Sequence, residues 1–347
     1  MEKILHVGLD VGSTTVKIVV LDSDLNIIYQ NYERHFSDTK NTVCNVLEKL
    51  ETNYPNSQFT ISLTGSGAMS AANFLDLPFI QEVVSCKKAV EKYIPQTDVV
   101  IELGGEDAKI IYFDNFIEQR MNGTCAGGTG AFIDQMASLL HTDASGLNEL
   151  AKHYTTIYPI ASRCGVFAKT DIQPLLNEGA AKEDIAVSIF QAVVNQTISG
   201  LACGRPIKGN VAFLGGPLNY LSELRQRFIE TLKLKDNEII IPEEAHLFVA
   251  KGAAISSLEN KTITNEILKS KIRVLRDSHD STTIPLSPLF SIDADYEEFK
   301  NRHNKDCVKK GSLENFSGNC YVGIDAGSTT TKLVLIDDEG KLLYSLY

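Results

Sequence analysis

Short apolar runs that end in turn residues alternate with longer segments of helical period over residues 4–256. Runs such as FTISLTG and DVVIELGG predict strands, whereas AFIDQMASLL and IAVSIFQAVVNQTISGLA predict helices, because their apolar positions follow the helical repeat. Strands that alternate with helices predict an α/β fold in which helices cover sheets.

The beginning and the end of the chain repeat one pattern. Residues 6–32 align with residues 321–347 without a gap, and both read as an apolar run, a Gly-Ser-Thr turn, a second run, an acidic turn and a short third run. This order predicts two three-stranded meanders. We therefore expect a first module over residues 1–259, a polar linker with one helix over 260–320, and the first meander of a second, incomplete module over 321–347. On this interpretation the chain is the N-terminal part of a longer protein.

Composition narrows the class of protein. The formal net charge is −11 and no Lys/Arg cluster stands out, so nucleic acid is not an expected partner. No uninterrupted apolar run approaches the roughly 20 residues that span a bilayer, and no cleavable leader is apparent, so we expect no membrane partner and a cytoplasmic location. Seven cysteines, an odd number, do not suggest a secreted disulfide framework. Cys44, Cys86 and Cys203 are predicted to be packing residues.

The first candidate for chemistry is the turn GLDVGSTTVK, Gly8 to Lys17. Glycine turns let backbone amides approach a phosphate, and threonine hydroxyls add donors. Asp10 ends the preceding strand, where it could hold a metal-bound water, and Lys17 could neutralise a phosphate. The predicted nucleotide contacts of this turn are Gly8, Gly12, Ser13, Thr14, Thr15 and Lys17. A polar hairpin tip without a ligand is the alternative.

Two further Gly-Gly turns follow, in DVVIELGGEDAKII and in NVAFLGGPLNYLSELRQRF. Each alone is more often an ordinary connection. Together, in this order, the three turns resemble the phosphate-1, phosphate-2 and adenosine motifs of the acetate kinase, sugar kinase, Hsp70 and actin superfamily. The resemblance implies two RNase H-like halves with ATP and Mg²⁺ in the cleft between them. It implies catalytic roles for Asp10, Glu102 and Asp107, and ATP contacts from Gly104, Gly105, Gly215 and Gly216.

Two cysteines precede predicted helices, Cys125 in GTCAGGTGAF and Cys164 in SRCGVFAKTDIQ. A thiolate at a helix N-terminus is stabilised by the helix dipole, which suits it to bind iron. A cubane cluster usually takes four thiolates, so two modules related by a two-fold axis would supply them. Spacing alone leaves ordinary free cysteines as the alternative. Gly128 and Gly130 of the first segment are further candidate ATP contacts.

Over residues 4–256 these cysteine motifs closely resemble those of the 2-hydroxyacyl-CoA dehydratase activators and the benzoyl-CoA reductase ATPase subunits, the BadF/BadG/BcrA/BcrD-type ATPases. The duplicated start resembles the long, two-module members, the CoA-substrate-specific enzyme activases. Two positions depart from the short activators: Glu102 and Glu106 stand where those have Asp and Gln, and Pro217 lies in the adenosine loop.

The resemblance implies that Cys125 and Cys164 share one four-iron, four-sulfur cluster with a second module, in a homodimer or within the longer protein. It also implies an ATP-driven activator that takes an electron from a ferredoxin or flavodoxin. The acceptor would be an iron–sulfur dehydratase or reductase that acts on an acyl-CoA.

Two alternatives remain at this point. A small-molecule kinase of the same superfamily would transfer the γ-phosphate to a sugar or carboxylate and contain no iron. A nucleotide-dependent scaffold would show slow ATP hydrolysis and nucleotide-sensitive association, and would tolerate Cys125→Ser and Cys164→Ser.

Overall fold

Two five-stranded sheets, each built on a three-stranded meander, form the framework of the first unit, Met1–Ser278, in the computed structural model. A second, smaller unit follows and contains a three-stranded sheet. The structure describes residues 3–114, 116–123, 127–161, 164–278, 286–314, 316–327 and 330–347.

The strands and helices alternate as the pattern predicts. The strands are β1 (Lys3–Val11), β2 (Thr15–Leu21), β3 (Ile27–Arg34), β4 (Ser57–Thr64), β5 (Val99–Leu103), β6 (Ala108–Phe113), β7 (Ile117–Met121), β8 (Val211–Leu214), β9 (Ile239–Ile240), β10 (Ile263–Thr264), β11 (Cys320–Ala326), β12 (Thr331–Asp337) and β13 (Leu342–Leu346). The helices are α1 (Thr39–Asn53), α2 (Ala68–Leu75), α3 (Glu82–Tyr93), α4 (Gly130–Leu139), α5 (Ala144–Ala151), α6 (Gly165–Asn177), α7 (Lys182–Thr197), α8 (Gly216–Tyr220), α9 (Ser222–Leu232), α10 (Phe248–Ser256), α11 (Asn265–Asp277) and α12 (Asp293–Asn304).

The two sheets of the first unit share one topology over four of their five strands, whereas the fifth strand is antiparallel to its neighbour in the first sheet and parallel to it in the second. In the first, with order β10-β4-β1-β2-β3, β1–β3 form an antiparallel meander and β4 lies parallel to β1. In the second, with order β7-β6-β5-β8-β9, β5–β7 form the meander and β8 lies parallel to β5. With their helices, the two sheets are the two RNase H-like halves of an α/β fold, as the motif resemblance implied.

Each half buries its own apolar core. Leu9 of β1 packs with Leu47 of α1 in the first half, and Ile101 of β5 packs with Phe190 of α7 in the second. Burial of such side chains removes apolar surface from water, which is the main favourable contribution to folding.

Helix α10 joins the two halves because it packs closely on β1 and α3. A Cβ atom on Gly8 of β1 would collide with the α10 backbone at Ala250 and Ala254. A Cβ atom on Gly252 of α10 would collide with the backbone of Ser85 in α3. Small residues therefore allow these three elements to approach one another.

Helix α7 continues into a π-helical turn, and together they span Lys182–Ala202. By length and composition this segment could cross a membrane, although the sequence has no uninterrupted apolar run of that length. Its most apolar stretch is 67% buried inside the protein. The segment is thus accounted for as a core helix of the second half.

The first unit extends beyond the predicted boundary at residue 259. Strand β10 pairs with β4, and α11 buries Leu268, Ile272 and Leu275 in the core of the first half. The exposed face of α11 is polar, so the amino-acid sequence of this segment resembles that of a linker, although its apolar residues recur with the helical period. Helix α12 matches the helix predicted in the linker.

The second unit reproduces the first meander strand for strand. Asp10 pairs with Lys17 between β1 and β2, and Asp325 pairs with Lys332 between β11 and β12, at the same offset of 315 residues (325 − 10). A register shift follows at the matching position, between Val20 and Leu21 and between Leu335 and Ile336. The prediction of two related meanders is confirmed.

The predicted packing cysteines behave in two ways. Cys44 and Cys86 are buried, as expected. Cys203 is exposed, because it follows the π-helical turn in a left-handed conformation (φ 46°) where the chain leaves the core. The prediction for Cys203 is therefore wrong.

Candidate functional site

A cavity of about 250 Å³ lies between the two halves of the first unit. Predicted residues from all three glycine turns and from the start of α4 line this cavity. The predicted residues that line it are Thr14, Thr15, Lys17, Glu102, Gly104, Gly105, Gly130, Gly215 and Gly216.

Two hairpins of the same construction face each other at this cavity. The first hairpin, residues 10–17, joins β1 to β2, and the second hairpin, residues 102–109, joins β5 to β6. Each begins with a carboxylate and ends with a lysine as its cross-strand partner, and each turn is closed by a backbone hydrogen bond, from Gly12 N to Thr15 O at 2.9 Å and from Gly104 N to Asp107 O at 2.7 Å. The tips touch, because a Cβ atom on Gly105 would collide with the Thr14 side chain.

The carboxylate of the first hairpin is buried and ion-paired. Lys17 Nζ donates to Asp10 Oδ2 at 2.7 Å, and Asp10 is 3% exposed. Burial raises the pKa of Asp10, and the neighbouring ammonium opposes that rise. Burial alone would lower the pKa of Lys17, but the Asp10 carboxylate outweighs it and the pKa of Lys17 lies above its ordinary value. Lys17 lies at the cavity wall, with Asp10 behind it.

The lysine of the second hairpin contacts two carboxylates. Lys109 Nζ donates to Glu82 at the start of α3 and lies 3.7 Å from Glu102 Oε1. Burial raises the pKa of Glu102. The Lys109 ammonium lowers this pKa, whereas the Glu82 carboxylate raises it further. Burial alone would lower the pKa of Lys109, but the two carboxylates raise it above its ordinary value. Three acids and two lysines thus form one buried charge network across the hairpins.

The first turn of α4 holds the second hairpin in place. Gly130 N donates to Gly104 O at 3.0 Å, and Ala131 N donates to Gly105 O at 2.7 Å. These amides would otherwise be unpaired at a helix start. The sequence pointed to Gly130 as a phosphate contact, whereas the structure engages its amide with the hairpin.

The adenosine-type turn forms the far wall of the cavity. Gly215 adopts φ +88°, a conformation that favours glycine, and its amide donates to Ala245 O at 3.1 Å. Beside it, the His246 ring lies 5.2 Å from the Tyr32 ring and 5.1 Å from the Tyr220 ring, between centroids. Burial lowers the pKa of His246 to about 4, so the imidazole is neutral near pH 7.

Some predicted residues lie outside the cavity wall. Gly8 packs against α10, and Gly12 and Ser13 belong to the turn of the first hairpin. Asp107 lines a second cavity, of about 320 Å³, together with Glu82 and Lys109. The structure therefore separates Glu102, at the cleft, from Asp107, behind it.

Cys164 is the N-cap residue of α6 and is half-buried. It lines a small cavity with Gly128 and with Phe132 of α4. Val166 and Phe167, in the first turn of α6, are exposed by 70% and 63%. Cys125 lies outside the described residues, and among those described no three His, Cys, Asp or Glu side chains form a group that could hold a metal ion.

Several residues of the cleft, and one lysine behind it, escaped prediction. Lys109 could have been found, because it follows Glu102 at the same seven-residue spacing that separates Lys17 from Asp10. The others carry no comparable local signal: Tyr32, Arg34, Asp134 and His246.

Comparisons with known proteins agree with this geometry. The model of the BadF/BadG/BcrA/BcrD ATPase family matches residues 7–257. A 2-hydroxyisocaproyl-CoA dehydratase activator from Clostridioides difficile is 32% identical over 271 residues, which cover 76% of this chain and 98% of that protein.

Two solved structures are similar over most of the chain. Component A of the (R)-2-hydroxyglutaryl-CoA dehydratase from Acidaminococcus fermentans superimposes with a TM-score of 0.65 at 27% identity, covering 77% of this chain and 99% of that one. The activator of the 2-hydroxyisocaproyl-CoA dehydratase from Clostridium difficile, with bound ADPNP, gives a TM-score of 0.64 at 27% identity, covering 82% and 100%.

Proposed function

Because the chain belongs to the BadF/BadG/BcrA/BcrD ATPase family, we propose that it is an ATP-dependent reductive activator of an iron–sulfur dehydratase or reductase that acts on an acyl-CoA. Its similarity to dehydratase activators supports an activator role. One electron would enter from a ferredoxin or flavodoxin and leave to the partner enzyme.

The observation that carries this proposal is the path from the cleft to the thiol along α4. Gly130 and Ala131 bind the second hairpin, and the next residue, Phe132, lines the cavity that contains Cys164. A Cβ atom on Gly165, next to Cys164, would lie 3.3 Å from the Phe132 ring. A change at the hairpin would therefore reach the start of α6 through one rigid helix.

ATP fits the cleft by its chemistry. Glycine turns, the Lys17 ammonium and the Thr14 and Thr15 hydroxyls suit a polyphosphate, and the apolar and aromatic wall near His246 suits a nucleoside. An activator whose structure covers 82% of this chain was solved with bound ADPNP. ATP would drive the change by binding one arrangement of the halves more tightly than the other.

The carboxylates of the two hairpins suit Mg²⁺, which takes one or two carboxylates and keeps several waters beside bound phosphates. Asp10 and Glu102 are the residues that would hold it or its waters. Bound there, the ion would neutralise phosphate charge, while Lys17 keeps the Asp10 carboxylate oriented through its 2.7 Å hydrogen bond.

Cys164 suits an iron–sulfur cluster, because its thiol is half-buried at a helix N-cap beside an exposed apolar surface. Cys125 would be the second ligand of this chain. A cluster shared by two modules would supply a one-electron carrier, and two copies of the chain in a homodimer, or two modules of a longer protein, would complete its four thiolates.

The test measures iron, acid-labile sulfide and the visible spectrum of the anaerobically purified chain, together with its mass in solution. We expect about two irons per chain in a dimer, lost in Cys125→Ser and in Cys164→Ser. Cys203→Ser is the matched control, because that thiol is exposed and away from the cleft, and it should keep its iron. A wild-type chain that stays iron-free after reconstitution would contradict the homodimer cluster, and would leave a cluster completed by a second module of a longer protein, or a kinase.

A further inference from the structure

Lys109 differs from its counterpart Lys17 in the number of its carboxylate partners. Lys17 is ion-paired to Asp10 within its own hairpin. Lys109, only 5% exposed, is paired first to Glu82 and only at 3.7 Å to Glu102 of its own hairpin. A separation of 3.7 Å is too long for a hydrogen bond, so the ammonium is hydrogen-bonded to Glu82 and ion-paired, without a hydrogen bond, to Glu102.

Glu82 belongs to a helix that packs on α10, the helix that joins the two halves. It is the first residue of α3, where the helix dipole favours a carboxylate. Three residues later Ser85 touches Gly252 of α10, and α10 in turn packs on Gly8 of β1. The position of the Glu82 carboxylate is thus tied to both halves of the first unit.

Lys109 also stands between two cavities. Glu102 lines the cleft, whereas Lys109 and Glu82 line the 320 Å³ cavity behind the second hairpin. A lysine released by Glu82 could move only 1 Å or so to reach hydrogen-bond distance of Glu102. That movement would give the Glu102 carboxylate a direct hydrogen bond from the ammonium and leave it less available to the cleft.

We propose that Glu82 is a positioning residue that acts through Lys109: it holds the ammonium off Glu102, so that the Glu102 carboxylate faces the nucleotide cleft. This inference rests on the proposed ATP hydrolysis. Because Glu82 starts the helix that packs on α10, it also couples the relative position of the halves to the orientation of Glu102.

The test is Glu82→Gln, which keeps the shape of the side chain and removes its charge. We expect kcat for ATP hydrolysis to fall about tenfold while the Kd of ATP changes less than twofold, since the change concerns a group that acts on the reaction rather than on binding. The matched control is Glu91→Gln on the same helix, where Glu91 pairs with Lys87 at 3.5 Å on the exposed face. That variant should match the wild type in kcat, Kd and Tm.

A double-mutant cycle identifies the path of the effect. In a Lys109→Met background, Glu82→Gln should no longer change kcat, because the residue through which it acts is absent. Glu82→Asp should keep most of the kcat, because the carboxylate is retained. It also serves as the test variant if Glu82→Gln lowers the Tm.

The outcomes separate this inference from the proposed function. A wild-type protein without ATP hydrolysis would overturn the proposed function. If the wild type hydrolyses ATP, any one of three results would overturn the role of Glu82 alone. These are a kcat of Glu82→Gln equal to that of Glu91→Gln, an equal effect of Glu82→Gln on kcat in both Lys109 backgrounds, and a kcat of Glu82→Asp as low as that of Glu82→Gln.

Discussion

His246 is a buried base that stays neutral in the folded protein. Its ring contacts Tyr32 and Tyr220, and burial lowers its pKa to about 4 from an ordinary value of 6.5. Glu244 opposes this shift, whereas the nearby Lys17 and Lys251 ammonium groups add to it. The unfolded chain therefore takes up a proton at a higher pH than the folded chain does.

This difference predicts a loss of stability in acid. Stability from neutral His246 is fully present above about pH 6.5 and is lost as the pH falls toward 4, because the unfolded state then binds more protons. Relative to His246→Gln, which does not titrate, the wild type should lose about 1–2 kcal/mol of unfolding free energy between pH 7 and 4.5, allowing for partial solvent screening. Urea unfolding at a series of pH values measures the difference. A difference that is independent of pH would contradict this account.

At the scale of elements, the close approach of β1, α10 and α3 depends on glycine residues, which have no side chain. Gly252→Ala would place a Cβ atom against the Ser85 backbone, which cannot move without shifting α3. Overpacking of this kind costs about 1–3 kcal/mol, so we expect the free energy of unfolding to fall by that amount.

The control is Gly123→Ala, where an added Cβ atom meets no atom of the described residues within 4 Å. This variant should be as stable as the wild type or slightly more stable, because alanine reduces the freedom of the unfolded chain. Urea unfolding of both variants measures the two effects. Equal stabilities would show that α10 and α3 can separate without cost.

At the scale of the first unit, one ion pair bridges the two halves at the cavity. Arg34 Nη2, at the end of β3, donates to Asp134 Oδ2 of α4 at 3.1 Å, and both residues line the cleft. Their side chains are 54% and 41% exposed, so the pair contributes at most about 1 kcal/mol. On the proposed function a nucleotide would leave when the halves part, so the location of this pair matters more than its strength.

We expect Arg34→Ala to release ADP about threefold to fivefold faster, which is the rate equivalent of an ion pair of that strength. Stopped-flow release of a fluorescent ADP measures this rate. Lys49→Ala is the control, because it breaks a comparably exposed pair with Glu33 inside one half, and it should leave the rate unchanged. The charge swap Arg34→Asp with Asp134→Arg should restore slow release, and a swap as fast as Arg34→Ala would argue against the bridge.

The sequence by itself determined the local architecture. The hairpin from Asp10 to Lys17 and its copy from Asp325 to Lys332 could be predicted because alternation and turn residues act over a few neighbouring positions. The same signals located the glycine turns that line the cleft and the helix that starts at Cys164. The arrangement of two similar halves around a cleft was predicted only from the family resemblance.

Only the tertiary structure decided which distant side chains meet. Glu82 reaches Lys109 across 27 positions, and Arg34 reaches Asp134 across 100, without a local pattern at either end. The apolar face of α11 became part of the first core because the sheet offers a surface for it, although its polar residues suggest a linker. Such contacts depend on how sheets and helices pack, and packing acts between residues that are far apart in the sequence.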